Sequence, residues 1–255
     1  MKIATWNVNS LRAREGLVLD WLKRVEPDVL LMQETKVVDD DFPSDGFQRL
    51  GYSVVMAGQK TYNGVAIASR GYMRDIKIGL DGDPPDADKR LISAVVKGIR
   101  VFSAYIPNGK AIDNPSFPEK LDWLKRLRST IEKYGDERPI ALGGDFNVAM
   151  DSRDVVNVEA MEGLTHFHPD EHARMKELLE LGLTDAFRLK EEAGGLFSWW
   201  DYRGGGFERN QGMRIDYMFL TRSLTDACDK AWMDVEERRH DKPSDHIPVV
   251  VELKL

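Results

Sequence analysis

Residues Ile140-Ala-Leu-Gly-Gly-Asp-Phe-Asn147 pass from a short apolar run through paired glycines to a carboxylate and a carboxamide two positions apart. That pattern fits a buried strand delivering polar groups to an edge of the core. Gly, Asp and Asn are also ordinary turn residues, so taken alone the stretch also reads as a turn. If it is a strand, Asp145 and Asn147 are the first candidates for chemistry, and other segments should repeat the design.

They do. Residues 2–9 (KIATWNVN) alternate like a strand and finish on Asn7 and Asn9, and residues 28–33 (DVLLMQ) form a covered strand with Glu34 at its end. Runs at 91–97 and 99–105 flank Gly98 as a hairpin whose second arm ends at Tyr105, and 52–57 with 65–69 suggest another with a long loop. Residues 214–220 (RIDYMFL) carry Asp216 inside a strand pattern, where an acid is costly without a partner or a metal. Pro243-Ser-Asp-His246 opens the last strand, with Asp245 and His246 directed to different neighbours.

Helical spacing appears between these runs. Leu17, Val18, Trp21, Leu22 and Val25 form one apolar stripe, capped by Ser10. Leu121, Leu124, Leu127, Ile131 and Tyr134 form another, with Ser116 and Glu119 as a capping box and the lysines and arginines on the outer face. A shorter helix begins near Pro169 and turns Met175, Leu178 and Leu179 inward. Residues 197–206 combine aromatics with a glycine run, close to Arg203, Arg209 and Arg214, a composition suited to nucleic acid and equally to a strand followed by a loop.

A chain of 255 residues, 42% apolar, can bury a substantial core. It contains no apolar run long enough for a membrane span and no export-peptide pattern at its start. The single cysteine, Cys228, fits a reducing compartment, and a cytoplasmic location is expected. A net charge of -7 argues against nonspecific coating of polyanions. It does not exclude a metal-dependent phosphate enzyme, whose site carboxylates count as negative charge until a cation binds.

Collected, the polar groups at strand boundaries are Asn7, Glu34, Tyr105, Asp145, Asn147, Asp216, Asp245 and His246. Acids brought together in a low-dielectric pocket need a cation or shared protons. Oxygen-rich ligation favours magnesium or manganese, which suits phosphodiester hydrolysis. His166, His168 and His172 match no compact structural zinc motif.

These residues lie in motifs that resemble the exodeoxyribonuclease III family of class II abasic-site endonucleases, within the DNase I-like superfamily. The motifs are Trp6-Asn-Val-Asn-Ser-Leu-Arg12, Leu31-Met-Gln-Glu-Thr-Lys36, Asn63-Gly-Val-Ala66, Gly144-Asp-Phe-Asn147, Ser198-Trp-Trp-Asp-Tyr-Arg203, Arg214-Ile-Asp216 and Pro243-Ser-Asp-His-Ile-Pro248, in family order along the whole chain. The resemblance implies an α/β fold: a four-layered sandwich of two packed, mostly antiparallel sheets flanked by helices. A single domain over residues 1–255, built from similar halves of about 1–135 and 136–255, is expected.

The resemblance also implies roles. Glu34 would ligate the metal, with Asn7 and Asp245 close to it, and one or two Mg2+ or Mn2+ ions would act. Asp145 would position or activate water, Asn147 would hold it or the phosphate, Asp216 would pair with His246, and Tyr105 would contact the phosphate or the leaving side. Trp199, Met213 and Ile215 would line a pocket for a flipped-out abasic sugar. Lys36, Gln59, Lys60, Arg90, Asn108, Trp200 and Arg203 would contact DNA. The implied activity is cleavage 5' to abasic sites in double-stranded DNA by a monomer, with 3'-5' exonuclease and 3'-phosphatase activity at 3' ends. A phosphatase or phosphodiesterase on a small substrate and a catalytically silent DNA-binding module are the alternatives.

Overall fold

The computed structural model describes residues 1–135 and 139–255, so the expected join of two halves near residue 136 lies outside the described residues. The strands are β1 (Lys2–Asn7), β2 (Val29–Gln33), β3 (Ser53–Ala57), β4 (Val65–Ser69), β5 (Met73–Ile78), β6 (Leu91–Val96) and β7 (Ile99–Tyr105). They continue with β8 (Ile140–Asp145), β9 (Leu183–Asp185), β10 (Trp199–Trp200), β11 (Gly212–Met213), β12 (Asp216–Thr221), β13 (Cys228–Met233) and β14 (Val249–Leu253). The main helices are α1 (Leu11–Val25), α2 (Ser44–Arg49), α3 (Ser116–Glu132), α4 (Val158–Met161) and α5 (Pro169–Leu179).

One six-stranded sheet runs β13-β14-β1-β2-β4-β3 and the other β5-β6-β7-β8-β12-β9. Each sheet therefore draws strands from early and late parts of the chain. Their strands alternate two kinds of burial. Ile3, Val29, Leu31 and Ile67 from the first sheet meet Ile92, Val101, Ala141 and Met218 from the second in a shared core. The intervening residues face outward: Ala4, Trp6, Leu30 and Met32 pack under Val18, Trp21 and Leu22 of α1. On the other side Phe102, Leu142, Tyr217 and Phe219 pack under Leu124, Leu127 and Ile131 of α3 and Met175 and Leu178 of α5. A period of two with both faces apolar needs cover on both faces. The result is the four-layered α/β/β/α sandwich.

Both sheets are mostly antiparallel, but each has one parallel pair at its centre, β1 with β2 and β7 with β8. Parallel partners end at the same edge, so Asn7 aligns with Gln33, and Tyr105 with Asp145. Strand β12, antiparallel to β8, begins at that edge with Asp216 opposite Asp145. The segment leading into β14, antiparallel to β1, arrives there as well. Register within each sheet, together with the packing of the two sheets face to face, gathers the polar strand ends.

The glycine pair lies inside β8 rather than in a turn. A Cβ on Gly143 would come within 2.7 Å of Leu31 Cδ1 in the facing sheet, and one on Gly144 within 2.0 Å of the Ala104 carbonyl oxygen on β7. Close approach, not conformational freedom, requires both.

Two expected caps differ. Ser10 has φ of 85° and makes no side-chain capping bond; its own amide and that of Leu11, the first in α1, donate to the Glu34 and Thr35 carbonyls. Ser116 is already inside α3, and its amide donates to Asn114 Oδ1. The capping box appears on α5, between His168 and Glu171.

Candidate active site

At the shared edge Asp145 is 1% exposed and His246 4%. Asn7, buried at the end of β1, donates through Nδ2 to Glu34 Oε1 at 2.8 Å and to Asp145 Oδ2 at 2.9 Å. One carboxamide thus holds together acids from both sheets. Asp145 Oδ1 accepts from the Asn147 amide at 2.9 Å, closing a turn in which Asn147 takes φ of 51°. His246 places Nδ1 2.8 Å from Asp216 Oδ2 and Nε2 3.7 Å from Asp145 Oδ2. The shorter contact fixes the ring. Ser198 Oγ donates to the same Asp216 oxygen at 2.7 Å and accepts the Asp216 amide.

The electrostatics follow from this crowding. Burial works against charge on His246, but the carboxylates of Asp216 and Asp145 outweigh it and push its pKa up to about 10. Burial, reinforced by Asp216 and Glu34 and opposed by His246, pushes Asp145 up to about 7. Burial also opposes charge on Glu34, yet Lys36 and the Asn7 hydrogen bond hold it below the usual range. Tyr105, beside Glu34 and Asp145, is pushed upward chiefly by burial, so it stays a neutral hydroxyl, with the Arg90 guanidinium 4.8 Å from its ring centroid.

Ligand atoms of Glu34, Asp145 and His246 lie within 4.8 Å of one another, a donor set able to hold a metal ion. Two carboxylates suit a hard divalent cation. An imidazole whose Nδ1 pairs with Asp216 and whose pKa is raised serves better as a charged donor than as a ligand. Asn7, expected near the metal, bridges two members of this group, Glu34 and Asp145, and Asp245 stands beside them. Both Asp245 oxygens are engaged, Oδ1 by Asn9 Nδ2 at 2.8 Å and Oδ2 by Trp199 Nε1 at 3.0 Å.

Beside the carboxylates Trp199 and Met213 pack with Ala149, Val155, Phe167 and Ile215 in an apolar cluster. Lys36 Nζ bridges Glu34 Oε2 at 2.8 Å and Asn9 Oδ1 at 2.6 Å. Asn108 is exposed and donates to Asn147 Oδ1 at 3.1 Å. Arg90, Lys60 and Arg203 line exposed or half-exposed loops. Gln59 ties its loop to the one before β6, donating to Asp88 and accepting from Asn63 and the Lys89 amide. Trp200 departs from expectation: it is 2% exposed, and its Nε1 donates to Asn210 Oδ1. It supports the loop from inside, and only a small part of its ring reaches the surface, in the cavity it shares with Phe207 and Arg238.

Several supporting residues escaped the sequence. Lys120, placed on the outer face of its helix, is fully buried and paired with Glu171; its Nζ also donates to the Asn147 carbonyl at 2.6 Å. The signal was present, because Lys120 precedes Leu124, Leu127 and Ile131 at the same spacing. His166 Nδ1 lies 2.6 Å from the same carbonyl oxygen, and burial pushes its pKa down to about 4. Ser198 opens a motif singled out above, but nothing local marked it as the partner of Asp216, and nothing distinguished Val155 or Phe167.

Two packed sheets presenting carboxylates and a histidine at a common edge, with a donor set able to hold a metal ion, suit a phosphohydrolase centre. The sequence profile of the endonuclease/exonuclease/phosphatase family matches residues 4–246, and the chain belongs to that family, in its exodeoxyribonuclease III and AP endonuclease branch. It is similar to an exodeoxyribonuclease III of Haemophilus influenzae, 34% identical with 100% of both chains covered. Among solved structures it is similar to a 3'-5' exonuclease of Neisseria meningitidis, 39% identical with a TM-score of 0.97, covering 100% of each chain. An AP endonuclease of Archaeoglobus fulgidus is 41% identical with a TM-score of 0.94, again over 100% of each chain. The chain is accordingly an enzyme, a nuclease hydrolysing phosphodiester bonds in DNA.

Proposed function

We propose that the enzyme cleaves double-stranded DNA on the 5' side of abasic sites, leaving a 3'-hydroxyl. The observation that carries this is the apolar cluster around Trp199, Met213 and Ile215 beside the carboxylates. A sugar without its base is small, apolar on its ring face and cheap to extrude, whereas an intact nucleotide brings bulk and lost stacking.

A Mg2+ or Mn2+ ion held by Glu34 and Asp145 would neutralise charge on the phosphoryl oxygens and the departing 3'-oxygen. Asp145, held by Asn7 and the Asn147 amide, accepts a proton from the attacking water. Water forms the new P–O bond as the P–O3' bond breaks, and the departing 3'-oxygen takes a proton from solvent to become the 3'-hydroxyl. His246 donates from Nε2 to a nonbridging oxygen, and Asp216 keeps the ring charged and oriented. Asn147 and Tyr105 contact the phosphate in this reading.

A second reading is removal of nucleotides or phosphates from 3' ends by the same centre. Phe167, 8% exposed, already packs into the apolar cluster and leaves a flipped sugar less room. The solved relatives are described both ways: one as an AP endonuclease, and the Neisseria enzyme as a 3'-5' exonuclease and, bound to a product DNA hairpin, as a 3' phosphatase. Product mapping decides between them, using matched duplexes with a tetrahydrofuran abasic analogue, a recessed 3' end or a 3'-phosphate, with Mg2+ and Mn2+. Failure to cleave the abasic duplex by folded enzyme that still trims 3' ends would replace the first reading with the second. A Trp199→Ala enzyme should lose about tenfold or more in kcat/KM on the abasic duplex, with a smaller effect on the 3'-phosphate. Equal losses would remove the cluster from substrate selection.

A cytoplasmic enzyme acting as a monomer fits this reading. No helix among the described residues is long and apolar enough to cross a membrane.

The pH behaviour is specific. His246, raised to about 10, contributes stability that is fully present below about 6.5 and fades as pH climbs toward 10. Asp145, raised to about 7, adds a growing cost as it ionises. In a metal chelator the melting temperature should therefore fall from pH 5 toward pH 9, and the fall should be shallower in Asp145→Asn. Activity runs oppositely on its acid side, because the base must be ionised. Identical melting profiles for the two proteins across this range would rule out the coupling.

A further inference from the structure

Three arginines are buried in the described structure: Arg100, Arg214 and Arg238. Arg214 pairs with Asp154 and Asp185, and Arg100 with Asp75. Arg238, 9% exposed, has no carboxylate within salt-bridge distance among the described residues. Its Nε has no hydrogen-bond partner, and its Nη2 reaches only the Trp200 carbonyl, at 3.4 Å. The guanidinium lies over the rings of Tyr202 and Phe207, with centroids at 5.0 and 5.5 Å. Ring quadrupoles offset part of the lost hydration but supply no counter-charge. An arginine cannot relieve the cost by releasing its proton.

This residue lines a cavity of about 650 Å3, together with Phe207, Arg239, His240 and Pro243. Arg239 is exposed and stands 5.4 Å from the Phe207 ring centroid. The nearby carboxylates are otherwise occupied: Glu237 by Arg24 and His240, and Glu236 by Arg239. Glu208 lines the same cavity on an exposed loop without reaching Arg238. The cavity is separate from the carboxylate cluster. Between them runs the segment in which the Trp200 amide donates to the Asp245 carbonyl and the Tyr202 hydroxyl to the Pro243 carbonyl.

We propose that the cavity lined by Arg238, Arg239 and His240 is a second phosphate-binding site, distinct from the one that cleaves. A planar guanidinium without a carboxylate matches two phosphate oxygens, the aromatic wall accommodates a sugar or base, and the volume suits a nucleotide. The phosphate belongs to a free 5'-mononucleotide or to a DNA strand beyond the cleaved bond. Neither source depends on whether abasic sites or 3' ends are the substrate.

The test uses the full chain labelled with 15N at arginine, in a chelator that prevents cleavage. The Arg238 Nε–H resonance is identified by its loss in Arg238→Gln. It is followed as inorganic phosphate, dAMP and an undamaged DNA hairpin are added in turn, each against sodium chloride at equal ionic strength. A saturable shift with phosphate or dAMP supports the proposal with a free nucleotide as ligand. A shift with the hairpin alone supports it with the strand as ligand. No shift with any probe, or the same shift with chloride, overturns it. Should Arg238→Gln fail to fold, Arg239→Gln at an exposed position serves instead. It should weaken the saturable probe by about tenfold, as expected for loss of one charge-assisted hydrogen bond, and unchanged affinity overturns the proposal.

Discussion

Asp145→Asn should lower single-turnover cleavage of an abasic-analogue duplex by about a thousandfold or more, with the fold intact. The substitution keeps shape but removes both the proton acceptor and one of the two carboxylates proposed to hold the metal. It also changes the surroundings in opposite directions. Asp145 receives two donors, the Asn147 amide on Oδ1 and Asn7 Nδ2 on Oδ2. An asparagine has one accepting oxygen, so its own NH2 must face one of them. Against that loss, a negative charge leaves a pocket shared with Asp216 and Glu34, whose repulsion and desolvation hold Asp145 above its usual range. Stability should therefore change little near neutral pH and improve in alkaline buffer without metal. His246 loses a carboxylate that helps keep it charged, so its pKa should fall, measurable by NMR titration of the ring. Cleavage within tenfold of the parent enzyme would remove Asp145 from the role of base.

How much of this was legible in the sequence depends on what each residue faces. Central strands were clear because both their faces are apolar, and their ends were clear because a polar group appears abruptly there, as at Asn7, Glu34 and Asp145. Strands β5 and β13 were not, since they lie at sheet edges: β5 is exposed along nearly its whole length and β13 is only half-buried, so burial imposes little pattern. Glu34, Asp145, Asp216 and His246 were found singly, but their distances follow from parallel pairing at the centre of each sheet, which no local motif encodes. Trp199 and Trp200 show the limit most simply. Adjacent in sequence, they point to opposite sides of a short strand, one toward the apolar cluster and one into the loop's interior. Aromatic character alone could not separate a substrate contact from a support.

Lys120→Met should destabilise the enzyme by about 3 kcal/mol, at the low end for breaking a buried ion pair. Lys120 and Glu171 are both fully buried. Removing the ammonium leaves a carboxylate without its cation, although the amides of His166 and His168 still donate to it. Those remaining donors set the expectation at the low end. For a chain of this size that corresponds to a fall of roughly 6 to 12 °C in Tm. Activity should fall as well, for a different reason. Lys120 Nζ also donates to the carbonyls of Asn147 and Asn108, so it ties the turn after Asp145 to the loop that follows β7. With that donor gone, Asn147 should be held less firmly and kcat should drop more than KM rises. Lys120→Met with Glu171→Leu removes both charges and should recover part of the stability but not the activity, because the lysine that tied the Asn147 and Asn108 carbonyls to each other is still missing, leaving them only His166 and Thr165 respectively. A double variant that recovers both would mean the pair serves the fold alone, and a single variant melting within 1 °C of the parent would mean that the pair contributes little even to that.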